Sequence, residues 1–264
     1  MGSCVVLGTR PEGDIIINLV NNDDFSTAEA VEKIVALTAD AAAEAFSTQE
    51  QFKATNLVQH NVLLQHSTAV AGFIIDCAEQ IPHDQQSKLL DFVFQLQKVT
   101  VPDPRAGAEL RQEDEVFWTG MPRLGLELSE YQGLSRSTEE QLRLYENCVA
   151  FVAQLSEIGF GSFKESIGWN HWPLTRMFQE TYKPTRSNVR LVCIWLIYAP
   201  KKVQQDAQLG RTRGTGPRAK VFKPEYWARW KQFLEDCQSK PSDEIADLDT
   251  QNLIGRALDS MEKI

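Results

Sequence analysis

A chain of 264 residues with 42% hydrophobic and 24% charged side chains has the composition of a globular protein able to bury a core of its own. Its net charge of −9 at pH 7 argues against a general nucleic-acid binder, whose phosphate contacts need a basic surface. Five dispersed cysteines without a C-x-x-C pair predict reduced, buried thiols in a cytoplasmic protein, and no apolar run reaches the length of a membrane span.

Residues 1–24 read as an N-terminal extension. They lack the basic start of a signal peptide, and Val6 stands where N-myristoylation requires serine or threonine. A single helical domain is expected over 25–264, an all-α irregular bundle of about eight helices with no internal repeat. "STAEAVEKIVALTADAAAEAF" opens it with a capping box, Ser26 and Glu29, followed by apolar residues at helical spacing. A second helical region spans about Thr48 to Ile81. At about 50 Å it is long enough to predict a break, placed near Gly72, and Pro82 ends it. Leu89, Leu90, Val93 and Leu96 mark a third helix, and residues 100–114 form a polar connector.

The spacing then predicts a buried helix from about Thr138 to Ile158, with a capping box at Ser137 and Glu140 and a terminal glycine, Gly159. "VRLVCIWLIYA" (189–199) is rich in β-branched residues and would suit a buried strand. It is read as a helix because Ser187 can cap it and no partner strand is evident. Pro200 is expected to end that helix, 201–223 to form a basic Gly/Arg-rich loop, and Pro224 to start the helix "PEYWARWKQFLEDC". A last amphipathic helix carries Leu253, Ile254, Ala257, Leu258 and Met261.

Several lines of the second half share a pattern. "FWTGMPRLG" resembles a W-x-x-L-P-x-φ-G line. "YENCVAFVAQL" is similar to an aromatic-x-N-L-N-A-F-x-A-x-L helix, matching at Asn147, Ala150, Phe151, Ala153 and Leu155. "VCIWLIYA" fits an apolar Trp helix, "FKPEYWARWKQFL" a W-x-x-W-K helix through Trp227, Trp230 and Lys231, and "ALDSMEKI" a closing A-x-x-x-M-x-x-I. In that order over residues 115–264 they resemble a fungal family catalogued only as a domain of unknown function. Cys148 and Val149 replace its leucine and second asparagine, and Met121 its leucine before proline. The resemblance implies fungal origin, a helical fold and a setting in secondary-metabolite gene clusters. It brings no activity with it.

The chemistry-bearing residues are sparse. His60 and His66 are six apart, off the i,i+4 register of a metal pair, and no Cys/His cluster exists, so no metal is expected. No G-x-S-x-G elbow is present, and "GRTRGTGPRAK" matches neither phosphate-loop pattern, so neither nucleotide nor other cofactor is expected. Trp118, Asn147 and Trp195 carry two readings. They are packing residues, with Trp118 a latch that Pro122 helps to turn into the core, or they line a pocket between helices. Arg211, Arg213 and Arg218 likewise read as a solvated loop or as an anion contact. Two function classes follow: an accessory enzyme or small-molecule binder without a cofactor, its ligand apolar, or a non-catalytic module that docks a partner protein. Nucleic acid and membrane are not expected partners.

Overall fold

The computed structural model describes residues 10–52, 62–105, 107–112, 115–132, 138–159, 174–175, 185–210, 212–213 and 220–264. The protein is all-α, as expected: helices carry the fold, and the strands among the described residues are two-residue pairs. Where the sequence suggested no seam, the elements group into two compact units, residues 1–134 and 135–264.

The first unit holds α1 (Pro11–Asn21), α2 (Thr27–Phe52), α3 (Val62–Gln80), α4 (Ser87–Leu96), β1 (Arg111–Gln112), β2 (Glu115–Val116), α5 (Phe117–Gly120) and α6 (Pro122–Gln132). Helix α1 corrects the reading of 1–24 as an extension. Pro11 presets its first turn, Glu12 and Asp14 suit the positive end of its dipole, and Ile16 and Leu19 are fully buried. Eleven residues are too few for a helical period to stand out. The helix instead gains stability by packing on α2 and α3. It approaches α3 at Gly13, where an added Cβ would fall 2.5 Å from the Phe73 ring. Ile16 and Leu19, each sealed from water, stabilise that seam by about 1.5–3 kcal/mol apiece.

Helix α2 begins at the expected box: the Ser26 backbone N–H donates to Glu29 Oε2 at 2.9 Å, and the Glu29 N–H to Ser26 Oγ at 3.2 Å. The helical region expected over 48–81 divides differently. Helix α2 runs on to Phe52 and α3 starts at Val62, and residues 53–61 lie outside the described residues. Helix α3 continues through Gly72, whose missing Cβ would meet open space. Its end is held by Gln86, buried, which donates to the carbonyls of Ala78 and Ile81. The polar connector 100–114 contains β1, which pairs antiparallel with β2 just beyond it, and is pinned by Val101 and Leu110, both buried.

The second unit holds α7 (Glu139–Glu157), α8 (Arg186–Tyr198), α9 (Pro200–Gln208), β3 (Thr212–Arg213), β4 (Lys220–Val221), α10 (Tyr226–Ser239) and α11 (Leu248–Glu262). Helix α8 packs against both α7 and α11. Residues 191–196 are buried without interruption, which explains why that run resembled a strand: a helix covered on all sides shows no polar face. Thr185, not Ser187, caps it. In α7 the capping box is Thr138 with Gln141, one residue beyond the expected Ser137–Glu140, because both spacings satisfy the same rule. Ser137 itself lies outside the described residues. Gly159 follows α7 at φ +79°, a left-handed turn suited to glycine.

Pro200 does end α8, but it also occupies the first turn of α9, so the expected 201–223 loop begins as helix. Val203, Asp206 and Ala207 are buried there. Lys202 closes its ammonium on Asp206 at 2.6 Å while its backbone N–H donates to Glu157. In α10, Trp230 is fully buried, donates to the Leu174 carbonyl and meets Phe222 edge-on.

Candidate functional site

Three helices of the second unit leave a cleft of about 360 Å³ between them. Glu139, Leu142, Arg143 and Glu146 face it from α7, at the i, i+3, i+4, i+7 spacing of one helix face. Arg186, Ser187 and Arg190 face it from α8, Asp249 from the start of α11, and Glu140 stands on the rim.

The cleft floor is an ion pair. Arg190 grips Glu146 with two parallel bonds, Nε to Oε1 at 2.6 Å and Nη2 to Oε2 at 2.7 Å, and reaches Thr250 Oγ1 at 3.3 Å. This fork-to-carboxylate geometry is the strong form of a charged hydrogen bond. Both side chains are mostly sealed, 16% and 9% exposed, and the Glu146 bond keeps the Arg190 guanidinium more firmly protonated than usual. One helical turn earlier, Arg186 donates to both oxygens of Glu139 at 2.9 Å and to Asp247 at 3.1 Å. Burial works against its charge, and its acidic neighbours more than restore it. Asp247 also caps α11, accepting from the Thr250 N–H. Partial burial opposes its ionisation, but these bonds hold its carboxyl below the usual range.

The two floor arginines therefore spend their donors on the protein and tie α7, α8 and α11 into one frame. The rim is different. Among the described residues Glu140, Arg143 and Asp249 enter no ion pair within 4.0 Å, and all three are exposed. Two of these rim charges, Glu140 and Arg143, are of opposite sign, and the third, Asp249, adds its field to the charge of Arg190, so the rim suits a ligand that bears both signs of charge.

A second cluster, in the first unit, escaped the reading of the sequence. His66 on α3 places Nδ1 2.7 Å from Glu12 Oε1 of α1 and Nε2 3.0 Å from Thr38 Oγ1 of α2. Trp118 Nε1 donates to the same hydroxyl at 3.1 Å. Carboxylate, imidazole and hydroxyl in that order is an arrangement that activates nucleophiles. Here it cannot serve that purpose as it stands. Thr38 is fully buried, with its oxygen already engaged by the indole and near the Ile34 carbonyl at 2.7 Å. The cluster is a polar tie among α1, α2, α3 and α5.

Of the residues singled out in the sequence, Trp118 is 2% exposed and belongs to this tie, edge-on to Phe117 and His66. Asn147 and Trp195 are buried on α7 and α8, in the core of the other unit. None of the three lines the cleft. Of Arg213 the structure describes the backbone, in β3 opposite Lys220, and Arg211 and Arg218 lie outside the described residues. The lining residues were hidden because all but Leu142 and Ser187 read as ordinary surface charges. Only the i, i+3, i+4, i+7 row on α7 and the i,i+4 arginines on α8 marked them. Among the described residues no group of three His, Cys, Asp or Glu could hold a metal ion, and no helix is long and apolar enough to cross a membrane.

The family model described as "Protein of unknown function (DUF3632)" matches residues 72–234, more than half of the chain. The chain belongs to this family. No curated protein and no solved structure matches it. The DUF3632 segment contains every lining residue of the cleft except Asp249, whereas Glu12, Thr38 and His66 lie before it.

Proposed function

We propose that this protein is a cofactor-independent accessory protein of fungal secondary-metabolite biosynthesis that holds a small zwitterionic molecule in the α7–α8–α11 cleft. The fungal and biosynthetic setting rests on the resemblance of the second-half motifs. The binding reading rests on one observation: a cleft of ligand size whose floor charges are paired, while the exposed rim charges Glu140 and Arg143 enter no ion pair among the described residues. An amine would sit toward Glu140 and Asp249 and a carboxylate or phosphate toward Arg143, because each such contact replaces water with a charge-assisted bond. The apolar ligand expected from the sequence has no comparable support, since one lining residue, Leu142, is apolar. Partner docking is supported no better: the exposed large apolar residues Phe94, Leu126, Ile158, Leu209, Leu248 and Ile264 belong to six different elements or turns.

The test is native mass spectrometry of the full-length protein equilibrated with amino acids and their decarboxylated and phosphorylated derivatives. A retained zwitterion is expected, with affinity reduced at least tenfold in Arg143→Glu and in Glu140→Lys. Both are surface changes that should leave the melting temperature in place. Retention of nothing, or retention indifferent to both variants, overturns the binding reading. Disruption of the gene with metabolite profiling tests the setting, where a lost or truncated metabolite is expected.

A further inference from the structure

The tie in the first unit raises a question of proton accounting. A hydroxyl carries one proton and two lone pairs. Thr38 Oγ1 gives one lone pair to the Trp118 indole N–H. Its single proton then has two acceptors within reach, the Ile34 carbonyl at 2.7 Å and His66 Nε2 at 3.0 Å. Its second lone pair is used only when Nε2 itself carries a proton. On the far side of the ring, Nδ1 lies 2.7 Å from the Glu12 carboxylate, which fixes a proton there.

We propose that Glu12, His66, Thr38 and Trp118 form a buried proton switch whose two states differ in the direction of the His66–Thr38 hydrogen bond. With the imidazole neutral, Nδ1–H donates to Glu12 and the Thr38 hydroxyl donates to Nε2. When a proton from solvent is gained at Nε2, that N–H donates to Thr38, and the hydroxyl proton turns to the Ile34 carbonyl. No other bond is made or broken, the Glu12–His66 pair passes from net negative to neutral, and the indole bond persists in both states. The Thr38 hydroxyl, both ring nitrogens and the indole N–H keep a partner either way, so the switch needs a hydroxyl rotation and no rearrangement of packing.

One carboxylate controls it. The other charged side chains of the helices packed on α3 are Asp14 on α1, Lys33 and the carboxylates of α2, and Arg123, Glu127 and Glu130 on α6. Asp76 and Glu79 share α3 itself, and Glu115 precedes α5. Among the described residues, Glu12 is the charged group that acts on His66. Burial lowers the imidazole's proton affinity, and the Glu12 bond and charge recover part of it, so the switch turns below the ordinary histidine value. Because the unfolded chain takes the proton more readily than the folded one, the tie is strongest above about pH 6.5 and weakens as pH falls.

Two-bond proton–nitrogen spectra of the ¹⁵N-labelled full-length protein, titrated from pH 8 to pH 5, test this. At pH 8 the Nδ1–H tautomer of His66 is expected. Its Nε2 should gain a proton with a midpoint below 6.5, and the Trp118 Nε1–H resonance should move with the same midpoint. Thr38→Ser, which keeps the hydroxyl, should preserve that coupled movement, and Glu12→Gln should lower the midpoint by at least half a pH unit. An Nε2–H tautomer at pH 8, a midpoint at or above 6.5, or a Trp118 resonance that ignores His66 overturns the switch.

Discussion

At the scale of single residues, Trp118 shows what a latch consists of. Its ring is 2% exposed and packed edge-on against Phe117, and its N–H is spent on Thr38. Trp118→Ala should cost about 3–5 kcal/mol through the cavity it leaves. Trp118→Phe keeps most of the volume and deletes the donor, which isolates the hydrogen bond at about 1–2 kcal/mol. Urea denaturation of both variants measures this, and equal losses would mean that the N–H contributes nothing. The burial of Trp118 was legible in its sequence setting, a large aromatic ahead of a turn. Its partners were not, since Thr38 is 80 residues away and Glu12 lies 54 residues from His66. His66 was weighed only as a metal ligand, in a register that failed, while its partners lie on other helices. Asn147 and Trp195 carried two readings, core and pocket, and both are buried on apolar helices of the second unit, where packing accounts for them. The Arg190–Glu146 pair yields a second expectation. Glu146→Leu leaves a mostly sealed guanidinium without its carboxylate and should cost about 2–4 kcal/mol, reduced by the open side of the cleft. The double change Glu146→Leu with Arg190→Leu should recover most of it. A double variant no more stable than the single one would contradict the pairing.

The scale of elements is where sequence signals were strongest and where their failures are most instructive. Capping boxes start α2 and α7, and a left-handed glycine follows α7, because these signals act within four residues and need no tertiary partner. Thr138→Ala should therefore cost about 1 kcal/mol in thermal or chemical melts, and a neutral result would mean that Gln141 and water suffice. Helix α1 and helix α9 were missed for one physical reason. Each is short, and its stability comes from what it packs on, which a local pattern does not show. Pro200 was read as a stop when a proline both ends one helix and presets the first turn of the next. This changes the expectation for the basic segment. Deleting 201–208 would remove Val203 and Ala207 from the core and the Lys202–Asp206 pair with them. A fall in melting temperature of more than about 8 °C is expected, at roughly 4 °C per kcal/mol for a chain of this size. A deletion variant that melts with the parent would restore the picture of a dispensable loop.

For the whole molecule the decisive observable is stability against pH, since buried groups of opposite behaviour bound it on both sides. On the acid side, burial lowers the proton affinity of His66 in the folded state. Its contribution is full above the unfolded value, about pH 6.5, and is lost as pH falls through the folded one. Asp247, lowered by its cap and by Arg186 against the effect of burial, adds a later loss beginning near the ordinary carboxylate range. On the alkaline side the cysteines take over. Cys77, Cys148, Cys193 and Cys237 are buried, as their apolar settings suggested, and Cys4 lies outside the described residues. Burial pushes the Cys193 thiol well up and Cys237 to about 11. Folded thiols then hold protons that an unfolded chain would release near pH 8.5, so they favour folding below that value and lose this contribution as pH rises. The expected profile is a plateau between about pH 7 and 8.5 with a fall on either side. Urea midpoints taken at half-unit steps from pH 4 to 10.5 in reductant would trace it. Cys193→Ala should flatten the alkaline limb and leave the acid limb, whereas His66→Gln should remove the first step of the acid limb alone. The first acid step and the alkaline limb answer to different residues, His66 in the first unit and Cys193 with Cys237 in the second. A single variant that altered both would show that the assignment of either limb to its buried group is mistaken.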